Sequence, residues 1–246
     1  MPSIQHIAKR LSRVSRHPAA LEVFGATSEI GSGHYFRRNV LKPVDVSALE
    51  ARLGVRLPLE YVELLTTIGY GVGPYYGLYS PGSITSEMAD LSDEGEPTNP
   101  AKDFPIGRRD LNELLSRIEH GSELTYIDCR WPTDGCIPIC FQGCTFWTVL
   151  ITAGEFSGSV WDVGCYVGWD GHWVPARRVP GIRELQKRIS LPTLAAPPTL
   201  IEWYEAWLES IEYDIGILPS RDSIWSRWRN ILESRLRKSL SKGEGG

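Results

Sequence analysis

Three cysteines, Cys136, Cys140 and Cys144, recur at four-residue intervals, and thiolates in a row are the ligands zinc prefers. The spacing argues against one shared ion. In a strand the even interval puts all three on one face, but residues four apart are separated by about 13 Å, against Zn–S bonds of about 2.3 Å. A turn at Gly143 would bring two of them closer; burial as small apolar side chains is the preferred reading. The five histidines, His6, His17, His34, His120 and His172, are scattered, and none has a second histidine at ligand spacing. His172 near Asp170 reads as a solvated pair in a hairpin turn. Glu202, Glu205 and Glu209 read as the solvent face of a helix. There is no Gly-x4-Gly-Lys-Ser/Thr loop, no His-Glu-x-x-His helix and no Gly-x-Ser-x-Gly elbow. The glycines of 69–77 follow a helix, whereas a dinucleotide loop follows a strand and opens a helix. No catalytic, metal-binding or cofactor-binding residue is therefore expected, and no cofactor. An enzyme with a site scattered along the chain is the minor alternative, because active sites need not be linear motifs.

A chain of 246 residues is long enough to bury a sizeable core without disulfides or metal. The odd count of five cysteines argues against a disulfide framework. No apolar run approaches the ~20 residues of a membrane span. The first residues lack the basic start, apolar stretch and small-residue cleavage site of a secretion signal, so a cytoplasmic location is expected. Charge is unevenly placed. The first 17 residues carry Lys9, Arg10, Arg13 and Arg16 with no acid, and 220–246 carry seven basic residues against three acidic. Residues 18–219 are left with 15 basic and 27 acidic residues, a net −12 under an overall −4. Such a body attracts basic partners and repels nucleic acid, although it also serves solubility.

These residues need a scaffold, and the periodicity supplies one. Ile4, Ile7, Leu11 and Val14 predict a short basic amphipathic helix. A strand is expected over Tyr35–Leu41, and a helix capped by Asp45 through Leu53, closed by Gly54. Pro58 opens a helix in which Tyr61, Leu64, Leu65 and Ile68 follow Leu57 as one buried stripe, stopped at Gly69. Residues 87–103 read as an acidic loop holding Glu87, Asp90, Asp93, Glu94, Glu96 and Asp103. Asp110 is expected to cap a helix ending at Gly121. From Cys136 to Val179 the period becomes two, predicting a meander of about four antiparallel strands with a turn at Asp170-Gly171. Thr199 and Glu202 form a capping box for a helix bearing Trp203 and Trp207, and a last basic helix is expected over Ser223–Leu240. Trp203, Trp207 and Trp228 on helical faces, with Trp147 and Trp161 in strands, read as core. Helices at both ends with a meander between them give the α+β class, as a single domain.

Leu53-Gly-Val-Arg-Leu-Pro-Leu-Glu-Tyr61, the helix to Ile68 and Gly69–Tyr79 resemble the opening motif of the SUKH superfamily, whose pattern runs LG-x-x-LP-x-x-Y, a helix, a glycine-rich turn and GPYYGL. Gly135–Cys144, Phe146–Thr152 with Gly158–Asp162, and Thr199–Leu208 are similar to its central strands and closing helix. The residues carrying the likeness are Leu57, Pro58, Tyr61, Gly69, Gly71, Gly73, Pro74, Tyr76, Gly77, Gly143, Trp147 and Trp161. Tyr70 and Val72 stand where relatives often have a plainer turn. The resemblance implies a basic helical extension at 1–23, a SUKH-like domain at 24–212 and a C-terminal basic helix and tail at 213–246. It further implies a non-enzymatic binding domain. Bacterial members neutralise polymorphic toxins, often nucleases or deaminases, by occluding them; the yeast cell-wall-assembly regulator represents the alternative, a regulatory or scaffolding role. A basic protein toxin is the implied partner, with no direct nucleic-acid contact and no membrane span. Glu87, Asp90, Asp93, Glu94, Glu96 and Asp103 are the candidate contact residues.

Overall fold

The computed structural model describes residues 3–27, 34–93, 98–120, 126–165, 170–176 and 197–218. The amphipathic start becomes α1, Ile4–Val14, opened by Ser3, whose hydroxyl accepts the His6 amide. Its apolar positions Ile4, Ile7, Leu11 and Val14 are all buried. α2 spans Pro43–Leu53, three residues earlier at its start than Asp45 capping implies. Pro43 takes the first turn, where a missing N–H costs nothing, and Asp45 sits inside it with its carboxylate accepting the Lys42 amide at 3.0 Å. α3, Leu59–Thr67, follows Pro58 directly and buries Tyr61, Leu64 and Leu65, with Leu57 and Ile68 buried at its flanks. Each such aliphatic side chain contributes about 1.5–3 kcal/mol.

The strand expected over Tyr35–Leu41 shrinks to β1, Arg38–Asn39, paired antiparallel with β2, Tyr70–Gly71. Tyr35 and Phe36 have φ of 45° and 52°, so the chain before β1 is left-handed and cannot extend. The expected acidic loop also gives way: α4 covers Pro81–Asp93. Ser80 Oγ accepts the Ser83 amide at 3.0 Å and starts it. Ile84 and Met88, one turn apart, turn into the core, which leaves acidic positions such as Asp90 facing out. In α5, Arg108–Glu119, Gly107 precedes the helix, and Asp110 stands in the first turn accepting the Gly107 amide at 2.8 Å instead of capping.

The meander is present as β4 (Cys136–Gly143), β5 (Phe146–Ile151), β6 (Val160–Cys165) and β7 (Asp170–Pro175). A fifth strand, β3 (Ile127–Arg130), was not foreseen; it pairs with β7, so the antiparallel order is β3-β7-β6-β5-β4. Asp170 and Gly171, expected as a turn, are paired inside β7 with Arg130 and Cys129. Both faces of the sheet are covered. Ile137, Ile139, Leu150 and Val160 join one apolar layer with residues of α1, α2 and α3. Val149, Ile151, Trp161, Val163 and Trp173 join another with Leu111 and Leu114 of α5. A register shift between Pro138 and Cys140 separates the cysteines, so Cys136 belongs to the second layer and Cys140 to the first. The expectation of a shared face therefore fails: a bulge adds one residue and reverses the alternation.

α6, Leu200–Asp214, begins as its capping box predicts, with Thr199 N–H donating to Glu202 Oε2 at 3.0 Å. Its glutamates are not a solvent face. Glu205 is 1% and Glu209 2% exposed, and Glu202 and Glu212 are also buried. The reason lies far off in the chain. Arg10 of α1 reaches Glu205 at 2.9 Å and Glu212 at 2.7 Å, and Arg13 reaches Glu212 at 2.8 Å. Burial alone would lower the Arg10 pKa, but the hydrogen bond to Glu212 and the charges of the three glutamates outweigh it and hold the guanidinium above its ordinary value. The last helix expected, 223–240, and Gly121 lie outside the described residues.

Removing one partner of such a cluster strands buried carboxylates. Arg10→Ala is expected to cost about 3–5 kcal/mol in urea unfolding, whereas Lys9→Ala on the exposed side of α1 should stay within about 0.5 kcal/mol.

Candidate interaction surface

The glycine and aromatic segment works as a structural clasp. After α3 the chain pairs as β2, turns at Pro74–Gly77 with the Gly77 amide on the Pro74 carbonyl at 2.9 Å, and runs along the edge of β4. There the Tyr79 amide donates to Ile139 O at 2.9 Å, and Cys140 Sγ donates to Pro74 O at 3.1 Å. Gly77 has φ +92°, and a Cβ there would land on the Gly71 carbonyl. Gly73 lies under Leu78, and Gly143 sits at the second bulge of β4 facing the Tyr76 ring. Of the two signature tryptophans, Trp161 is sealed inside the sheet's second layer and Trp147 is half-buried.

The acidic candidates separate. Glu87 is half-buried, and its carboxylate accepts Trp147 Nε1 at 2.8 Å and the Tyr79 hydroxyl at 3.3 Å, which fastens α4 to the sheet. Burial and the charge of Glu87 push the Tyr79 phenol well above its usual pKa. Asp90 and Asp103 are exposed. Asp93 ends α4, with its side chain outside the described residues, as are Glu94 and Glu96 entirely.

Four aromatic rings complete this region. Phe24, 63% exposed, lies 5.6 Å from Tyr76; Tyr76 stacks at 6.4 Å on Phe141, and Phe141 lies 5.7 Å from Trp147. Tyr76, Phe141 and Trp147 are half-buried. The line continues inward through Trp131 to Trp173, both buried. Only contacts between distant segments could reveal it: Phe24 precedes Gly25 in a loop, and Phe141 alternates within a strand.

The polar groups on the sheet's first face are mutually satisfied. Asp162 Oδ1 accepts Gln142 Nε2 at 2.6 Å and Thr148 Oγ1 at 2.9 Å. His172 lies 3.7 Å from Asp128 and stacks on Tyr126 at 3.8 Å; its neighbour is therefore a residue of β3, across the pairing, and not the expected Asp170. Burial pushes the Cys136 and Cys140 thiols upward, which makes them poor nucleophiles. Among the described residues no three of His, Cys, Asp or Glu come together in a group that could hold a metal ion. No described helix is long and apolar enough to cross a membrane.

What these elements define is an α+β domain with a two-faced antiparallel sheet, a clasp on its edge and a partly exposed aromatic and acidic flank. The model of the SMI1 / KNR4 family (SUKH-1) matches residues 41–177, a little over half of the chain, and the chain belongs to that family. No curated protein and no solved structure matches it.

Two expectations follow from the clasp. A methyl group at Gly77 must displace backbone, so Gly77→Ala should cost about 3 kcal/mol or more, while Gly54→Ala, left-handed but with open space, should cost about 1–2 kcal/mol; thermal or urea unfolding measures both. Beside Gly77, His34 is buried, its Nδ1 accepting the Phe36 amide at 3.1 Å and its ring set against Phe36 and Trp207. Burial lowers its pKa from 6.5 to about 4. The unfolded chain then binds the extra proton between those values, so this contribution is intact above pH 6.5 and lost as pH falls toward 4. Stability should drop by up to about 3 kcal/mol over that range, and His34→Gln should flatten that part of the urea-midpoint profile.

Proposed function

We propose that this chain is a non-enzymatic immunity protein that binds and neutralises a cognate polymorphic toxin, a basic nuclease or deaminase, in the bacterial cytosol. The observation that carries the reading is membership of the SUKH-1 family over 41–177, joined to the resemblance of its signature residues to the SUKH superfamily, which includes many bacterial immunity proteins. The charge of 18–219 supports it: a net −12 draws a basic partner in, raising the association rate more than the final affinity. Asp90 and Asp103 stand exposed to do so. Neutralisation needs only that the toxin's cleft be covered. A stable interface buries about 1,600 Å² in total, more than one loop offers, so several elements of the flank contribute.

The test is coexpression with the toxin encoded beside this chain's gene. Growth rescue is expected, together with a stoichiometric complex whose association rate falls tenfold or more between about 0.05 and 0.5 M salt. Failure to bind any neighbouring toxin, with capture of cell-wall or regulatory proteins in its place, would replace this reading with a scaffolding one.

A further inference from the structure

We infer that the ring line Phe24–Tyr76–Phe141, bordered by the carboxylates of α4, is a docking strip for an arginine-bearing segment of a protein partner. The inference rests on the proposed binding function and gives it a place and a chemistry. The rings follow one another at 5.6 and 6.4 Å, and the exposed member, Phe24, is at the outer end. The backbone beneath them is held. Gly25 is seated on the Tyr75 carbonyl, the Tyr76 turn is closed by the Gly77 amide, and Phe141 belongs to β4. Rings fixed in advance lose little freedom when a partner arrives.

The charges beside the strip choose the partner. At its inner end Trp147 donates to Glu87, and Asp90 lies three residues further along α4, on the same side of the helix and exposed. The hairpin tip at Cys144 and Thr145 carries no charge. Ring faces attract cations, and carboxylates reinforce them. A guanidinium is flat, stacks on a ring and forks toward a carboxylate, whereas an ammonium is a strongly hydrated point charge. The strip therefore fits arginine better than lysine. The neighbouring loop already uses this chemistry internally, with Arg37 over the Tyr35 ring at 5.5 Å.

The experiment titrates the isotope-labelled full chain with two synthetic peptides, six repeats of Gly-Arg and six of Gly-Lys, at matched ionic strength. The arginine peptide should bind about tenfold more tightly, shifting amides around 24–27, 75–77 and 87–90. Phe24→Ala with Tyr76→Ala should bring it down to the lysine value, and Asp90→Asn should weaken both peptides about twofold. Phe24→Ala alone keeps the test intact should the double variant fail to fold, because that ring is largely in solvent. Equal affinity for the two peptides, or arginine binding unchanged by Phe24→Ala, overturns the strip. With the neighbouring toxin as ligand, undiminished binding by Phe24→Ala overturns the strip and leaves neutralisation standing. Arginine-selective binding at these rings with no neighbouring toxin bound supports the strip and removes the immunity reading.

Discussion

A guanidinium almost sealed from solvent between Glu205 and Glu212 ties α1 to α6, and the burial of α6 depends on it. Ionised side chains taken out of water cost several kcal/mol each unless paired and hydrogen-bonded. α6 brings four glutamates into the protein, so it can be buried only with cations at hand, and the start of the chain supplies two of them. The same docking buries Ile4, Ile7, Leu11 and Val14 in the layer that holds α3 and one face of the sheet. Charge pairing and apolar burial thus close on one another, and together they hold α1 against α6 and the first apolar layer.

What was readable in the sequence was local. The stripe from Leu57 to Ile68, the Thr199–Glu202 box and the meander follow from periodicity and caps, which act within a few residues. What was not readable depended on distant partners. Glu205 and Glu209 have the pattern of a wet face, and only Arg10, nearly two hundred residues earlier, reverses it. The faces of Cys136 and Cys140 hinge on one bulge, and a bulge leaves no mark in alternation. β3, Ile-Asp-Cys-Arg, has no strand signature of its own and becomes a strand because β7 offers an edge. Among the candidate contact residues, the half-buried carboxylate of Glu87 is taken up by Trp147 and Tyr79, while Phe24, which no motif marks, stands largely in solvent.

The residues that carry the family likeness and those of the proposed strip meet on one turn, at Tyr76. Gly77, Pro74 and Cys140 use their backbone and side-chain groups to join the clasp to β4. The Tyr76 ring on the same turn faces outward in part and passes contact from Phe24 to Phe141. A turn whose backbone is held this firmly also fixes where its side chain stands.

The strand order has a consequence for how the chain is made. β3 precedes the meander in sequence but pairs only with β7, its last strand, about forty residues later. On a ribosome β3 emerges before its partner exists and must wait for four further strands. Loop closure of that length, and the reward that comes only after it, belong to slow-folding topologies. Until β7 emerges the growing sheet presents the edge of β6 while β3 stands unpaired, so that interval is when the nascent chain is most exposed to aberrant pairing.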